Sequence, residues 1–159
     1  YKNTLLLISC YPMCKEYELK NIFVPQLDIQ KRIDKVVQNF TKRTIGIHIR
    51  RTDNIESIKS SPLEAFINSI NAELKKDENT KFYLASDDDH VKDILEEKFP
   101  DSIITIREDV DRNTLEGMKF AVVDLFCLSK TQKIIGSVFS SYSQIAAELG
   151  DIEIEYAKI

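Results

Sequence analysis

The sequence predicts an α/β fold, a Rossmann-like parallel sheet with helices on both faces. Two observations carry that reading. Short apolar runs of strand length alternate along the chain with amphipathic stretches of helix length, the pattern of strand–helix–strand units closing into a parallel sheet. The apolar runs also end in charged or hydroxyl-rich stretches, Arg50 to Asp53, Ser86 to Asp89 and Ser137 to Ser143. Parallel sheets place ligands there, beyond the carboxyl ends of the strands, so these stretches are expected to converge on one rim.

Composition bounds the possibilities. With 159 residues, 43% of them hydrophobic and 30% charged, the chain can bury the core of one ordinary domain. A net charge of -4 argues against a nucleic-acid or anionic-membrane surface, which would need a basic face. No run approaches the roughly 18 apolar residues of a membrane span. Cys10, Cys14 and Cys127 make an odd count, and Cys127 lies in an apolar run. Reduced thiols and a cytoplasmic, bacterial-type location are therefore expected. Cys10 and Cys14 have half the spacing logic of a metal site but no second cysteine pair. The chain opens on Tyr1 with no methionine and no signal pattern and reads as an excerpt.

The elements follow in order. Thr4 to Ser9 is an apolar run of strand length broken at Tyr11-Pro12, and residues up to Pro25 read as a connector. Leu27 to Phe40 carries apolar residues near a 3.6 period, an amphipathic helix. Thr44 to Ile49 alternates Ile45, Ile47 and Ile49 with Gly46 and His48, a buried strand. Thr52 to Ser60 reads as a loop. Ser61-Pro62-Leu63-Glu64 has the residues of a capping box and opens a helix with Phe66, Ile67 and Ile70 on one face.

Lys81 to Ala85 is a strand, Val91 to Phe99 marks a helix stopped by Pro100, and Ser102 to Ile106 is a short strand. Residues 107 to 113 form a charged loop. Leu115 to Leu128 is apolar almost all round and reads as a buried helix. Lys133 to Ile135 is a strand leading through Gly136 into the serine stretch, where Ser141 as cap and Gln144 open a last helix stopped by Gly150. Residues 152 to 158 are placed as an edge strand.

Several side chains carry chemistry. Arg50 and Arg51 beside Asp53 fit either a solvated ion pair or an anion gripped by rigid guanidinium forks. The serine stretch offers hydroxyls and N–H groups at a helix start. This is a capped helix if taken alone, and a phosphate site if it faces Arg50. Asp124 stands inside an apolar helix, where an unpartnered carboxylate is expensive. It is either paired structurally or presented to the two adjacent N–H donors of guanine. Asp87 and Asp88 suit helix capping or, less readily, a divalent metal or a phosphoacceptor site. His48, in mid-strand, fits a core histidine. No glycine-rich phosphate loop is present.

Ile47-His48-Ile49-Arg50-Arg51-Thr52-Asp53, then Phe82 to Asp88, Val122 to Leu125 and Phe139-Ser140-Ser141 resemble, in order and spacing, the shared motifs of fucosyltransferases. The group is that of the α1,6, nodulation, α1,2 and protein O-fucosyltransferases. The resemblance implies the C-terminal, donor-binding half of a GT-B glycosyltransferase that uses GDP-fucose, inverts the anomeric centre and needs no metal. By position, Arg50 would contact the β-phosphate, with Arg51 and Asp53 shaping that pocket as the catalytic set. His48 and Asp124 would face guanine, Ser140 and Ser141 the phosphate, and Asp87 and Asp88 would support the site.

Asn54 stands where α1,6 enzymes have lysine, and the acceptor base is not assigned. Too few residues precede Thr44 for a whole acceptor domain. Residues 1–21 are therefore read as a connector or remnant of such a domain and 22–159 as the donor domain, acting on a glycan or other hydroxyl acceptor. The alternative is a nucleotide or nucleotide-sugar binding module without transfer.

Overall fold

The computed structural model describes residues 19–108, 111 and 113–158. The strand expected at Thr4–Ser9, together with Cys10 and Cys14 and most of the 1–21 connector, lies outside them.

Five parallel strands form one sheet: β1 (Thr44–Ile49), β2 (Lys81–Ser86), β3 (Ile103–Thr105), β4 (Lys133–Ser137) and β5 (Glu153–Ala157), in the order β3-β2-β1-β4-β5. The alternation along β1 assigns its two faces. Ile45, Ile47 and Ile49 pack with Phe66, Ile67 and Ile70 of α4 (Leu63–Lys76) and with Val91 and Leu95 of α5 (Asp89–Lys98). Tyr83 and Ala85 of β2 point to the opposite face. They meet Ile29 and Ile33 of α2 (Leu27–Val37), Val123 and Cys127 of α6 (Leu115–Leu128) and Ala146 of α7 (Ser141–Gly150). Both faces are thus covered, as near-continuous apolar strands require. A short α1 (Leu19–Ile22) packs against α7. Among the described residues no helix is long and apolar enough to cross a membrane.

The strand order has one reversal. From β1 the chain steps outward to β2 and β3, then returns to lay β4 on the other side of β1. The connections leaving β1 and β4 diverge to opposite sides, and the crevice between their carboxyl ends is the switch point where such sheets bind ligands.

Several local expectations are corrected. Thr52 to Ser60 is not all loop, because Asn54 accepts a hydrogen bond from Ser57 N at 3.0 Å and caps α3 (Ile55–Ser60). Ser61 does not cap α4. Its hydroxyl accepts from Val138 N at 2.9 Å, a long-range tie, and α4 begins at Pro62 without a side-chain cap. Ser141 is the first residue of α7 rather than its cap, Ser140 makes no capping bond, and the Gln144 amide donates to Tyr156 instead. Helix α2 stops at Val37, where the Asn39 amide bonds the Lys35 and Val36 carbonyls at 3.3 Å each. Helix α6 has the expected bounds but leaves Leu115 and Met118 exposed at its start.

Gly150 was expected to be the left-handed terminator of α7. That role falls to Asp151, at φ 51°, and Gly150 is the last helical residue. A glycine is needed there for a different reason: a Cβ would sit 2.2 Å from the Ser129 carbonyl oxygen. Neither backbone can yield easily, and overpacking of this kind costs roughly 1–3 kcal/mol. Gly150→Ala is therefore expected to lower the thermal midpoint by several degrees at about 2–4 °C per kcal/mol for a chain of this size. An unchanged midpoint in a calorimetric scan would show that α7 can slide away from Ser129.

Candidate functional site

The three polar stretches meet above the β1–β4 crevice. They border a cavity of about 770 Å³ whose wall includes His48, Arg50, Asp53, Asp87, Asp124, Ser140 and Ser141. His48 comes from β1, Arg50 and Asp53 from the segment after it, Asp87 from the position just after β2, Asp124 from α6, and Ser140 and Ser141 from the N-cap and first residue of α7.

Side-chain parity decides what enters it. Arg50 continues the face of Gly46 and His48, whereas Arg51 continues the face of Ile47 and Ile49. The guanidinium of Arg50 pairs with Asp87 at 2.7 Å and with Asp53, and its backbone N–H donates to Ser137 Oγ at 3.0 Å. Arg51 turns beneath the cavity, donating to the Ser61 carbonyl at 3.0 Å with its guanidinium 5.9 Å from the Phe66 ring. It does not line the cavity and lies beneath the residues that do. Counting alternation through the strand end would have separated the two arginines.

Asp87 organises the loop. One carboxylate oxygen accepts from Arg51 N at 2.8 Å and the other from the Thr52 hydroxyl at 2.6 Å and Thr52 N at 3.3 Å, besides pairing with Arg50. Asp88 does not reach the cavity and caps α5 through His90 N at 2.9 Å, the helix-capping alternative. Among the described residues no three histidine, cysteine, aspartate or glutamate side chains group as metal ligands.

At the start of α7 the N-cap residue Ser140 makes no side-chain capping bond, and no other described side chain caps the first turn. The leading N–H groups of a helix carry partial positive charge and want an acceptor. The turn that delivers them is strained: Phe139 has φ 60°, uncommon for a bulky side chain. Its carbonyl accepts from the Asn54 amide at 3.1 Å, and its ring, 67% exposed, stands on the cavity wall with Ile55 and Met118. Asn54 thus caps α3 and clasps the strained turn with one side chain. The cap is local, but the link to Phe139 spans 85 residues and no short-range signal in the sequence announces it.

His48 is not a satisfied core histidine. It is buried on the cavity wall, its Nδ1 has no hydrogen-bond partner among the described residues, and its ring lies 4.8 Å from that of Tyr142. Burial pushes it down to about 4, against the opposing pull of Asp87, so it is neutral at pH 7. Asp124, 6% exposed, accepts a hydrogen bond from Tyr83 Oη. Burial pushes its carboxyl up to about 7 although Tyr83 and Lys92 oppose the rise.

The site therefore combines a braced guanidinium and an uncapped helix start with a wall bearing an aromatic, a neutral imidazole and a carboxylate. An anion fits the first pair and a planar group with N–H donors fits the second. A nucleoside diphosphate has both parts.

No protein-family model and no curated protein matches the sequence. Solved structures do resemble the fold. POFUT1 in complex with GDP-fucose superposes with a TM-score of 0.63 at 15% identity, over 89% of this chain and 49% of that one. NodZ alpha-1,6-fucosyltransferase soaked with GDP-fucose gives 0.57 at 21% identity, over 78% and 42%. Fucosyltransferase NodZ from Bradyrhizobium gives 0.55 at 20%, over 76% and 41%. These belong to the group whose motifs the sequence resembles, and they share its Rossmann-like fold. The chain spans about half the length of the solved proteins it matches.

Proposed function

We propose that this chain is the donor-binding half of a glycosyltransferase that takes fucose from GDP-fucose to a glycan or other hydroxyl acceptor with inversion. The observation that carries the reading is the seating of Arg50, braced by Asp87 and Asp53, in one cavity with the uncapped start of α7. As the sugar departs, negative charge grows on the diphosphate. A fixed guanidinium and helix-start N–H groups stabilise that charge without a metal ion and without reorganising.

Base choice falls to Asp124. A carboxylate accepts two N–H donors side by side, which the guanine edge supplies and the adenine edge does not. The neutral His48 ring and the Tyr142 ring, tilted 34° to each other, offer an aromatic wall beside it. The alternative reading is a nucleotide or nucleotide-sugar binding module without transfer. A transfer assay with GDP-fucose and a panel of acceptors separates it from the first.

Ligand-induced stabilisation tests the common part. A nucleotide at 100 times its dissociation constant adds about 2.7 kcal/mol, so saturating GDP is expected to raise the midpoint by roughly 5–10 °C at the size of this chain. ADP at the same concentration should do much less, and Asp124→Asn should narrow the gap between them. Equal shifts with GDP and ADP in the parent protein would overturn the base assignment.

A further inference from the structure

On the α6 wall of the cavity, the orientation of Asp124 is set from outside the cavity. Tyr83 is fully buried in β2, its ring 5.3 Å from that of Phe40, and its hydroxyl donates to Asp124 Oδ1. Asp124 Oδ2 takes no hydrogen bond from any described residue, while Asp124 lines the cavity. A hydrogen bond on one oxygen from a buried strand residue restrains the carboxyl from swinging about its Cβ–Cγ bond. It biases the plane and the open oxygen toward one orientation before any ligand arrives.

We propose that Tyr83 is a specificity-determining positioning residue, which holds Asp124 in the orientation that accepts the paired N–H donors of a guanine-type base edge and disfavours bases lacking them. This rests on the base-recognition reading above. Tyr83 does not line the cavity; its hydroxyl faces Asp124 and Cys127, and of these two only Asp124 is on the cavity wall.

The charge state follows the same geometry. The groups around Asp124 are Tyr83 from β2, Lys92 from α5, Glu108 beyond β3, Cys127 one turn along α6 and Tyr142 from α7. Lys92 is fully buried, 3.1 Å from Asp89 and bonded to the Ile106 carbonyl at 3.0 Å, so its charge is fixed in place. Burial raises Cys127 to about 12 and Tyr142 well above the phenol range, so both stay neutral. Burial pushes Asp124 up to about 7, while the Tyr83 hydrogen bond favours the carboxylate and opposes that rise. Removing the hydroxyl therefore moves Asp124 further upward, raises its protonated fraction at neutral pH and weakens the acceptor.

Tyr83→Phe keeps the ring and deletes the bond. In the nucleotide-free protein, infrared titration of the buried carboxyl, assigned by its loss in Asp124→Asn, is expected to move its midpoint up by about one pH unit, since hydrogen bonds to charged groups are worth roughly that much. By calorimetry, Tyr83→Phe should weaken GDP about five- to tenfold at pH 7 and ADP less than twofold, with the GDP loss recovering by about pH 8.5. In an Asp124→Asn background, which removes the buried charge and guards against a folding failure, Tyr83→Phe should leave the GDP-to-ADP ratio unchanged.

An unmoved carboxyl midpoint, or equal weakening of both nucleotides at every pH, overturns the proposal. So does a ratio that still changes in the Asp124→Asn background. A midpoint that moves in a protein preferring neither nucleotide confirms the hydrogen bond but overturns base recognition, and the specificity role with it.

Discussion

Arg50→Ala is expected to abolish the stabilisation proposed for GDP and to leave the fold standing. The side chain sits at the carboxyl end of β1, outside both apolar clusters, so its removal opens no core cavity. The loop it belongs to keeps its other ties: Arg50 N to Ser137, and Arg51 N and Thr52 to Asp87. A guanidinium has five N–H donors, and two carboxylates each take one of its terminal nitrogens here. The remaining donors can grip phosphate oxygens while the brace holds.

Losing a charged partner of a bound anion costs about 2–5 kcal/mol, roughly 30-fold to several thousand-fold in affinity. Calorimetric titration of Arg50→Ala with GDP, beside a melt without ligand, reads both halves of the expectation. Arg50→Lys should recover only part of the affinity, because an ammonium cannot span Asp87, Asp53 and a phosphate at once. A GDP response in Arg50→Ala equal to the parent's would remove the phosphate from this rim and with it the transferase reading.

Much of this arrangement was legible from residues alone, and the reason is the strand period. Alternation along Ile45 to Ile49 fixed the strand and its faces, and the polar residues at three strand ends predicted the rim because a parallel sheet gathers like ends together. What stayed hidden are the pairings that span the sequence. The hydroxyls of Ser61 and Ser137 have the composition of local caps and are used across 77 and 87 residues. Asn54 reads as a departure from a motif, yet its side chain joins α3 to the strained turn at Phe139.

Gly150 was read as a conformational signal although its role is steric, set by a carbonyl that only the folded chain brings near. Asp124 was legible as unusual, and its partner Tyr83 was not. A tyrosine inside a strand looks like any other core aromatic until the helix above it is placed.

Asp87→Ala is the sharper test of how the rim works, because two opposing effects must be weighed. Removing this carboxylate takes a negative charge away from the anion site. At an effective dielectric of about 40 and a separation of about 7 Å, that favours GDP by about 1 kcal/mol. Against it stands order. Asp87 alone holds Arg51 N, Thr52 N, the Thr52 hydroxyl and one end of Arg50. Its loss frees a stretch of three residues, each worth roughly 1–2 kcal/mol of backbone entropy to fix again.

The entropic term is the larger, so Asp87→Ala should bind GDP roughly 30-fold to several thousand-fold more weakly. Asp87 and Arg50 are both partly reached by solvent, so the stability loss belongs at the low end for such pairs, about 1–3 kcal/mol. Asp87→Asn, which keeps an acceptor for the loop but removes the charge, should fall between alanine and the parent in affinity. Hydrogen exchange at residues 50 to 52 should speed up in Asp87→Ala before any other strand end responds. Tighter GDP binding by Asp87→Ala would mean that charge, and not loop order, governs the rim. Arg50 would then act as a bare cation that needs no brace.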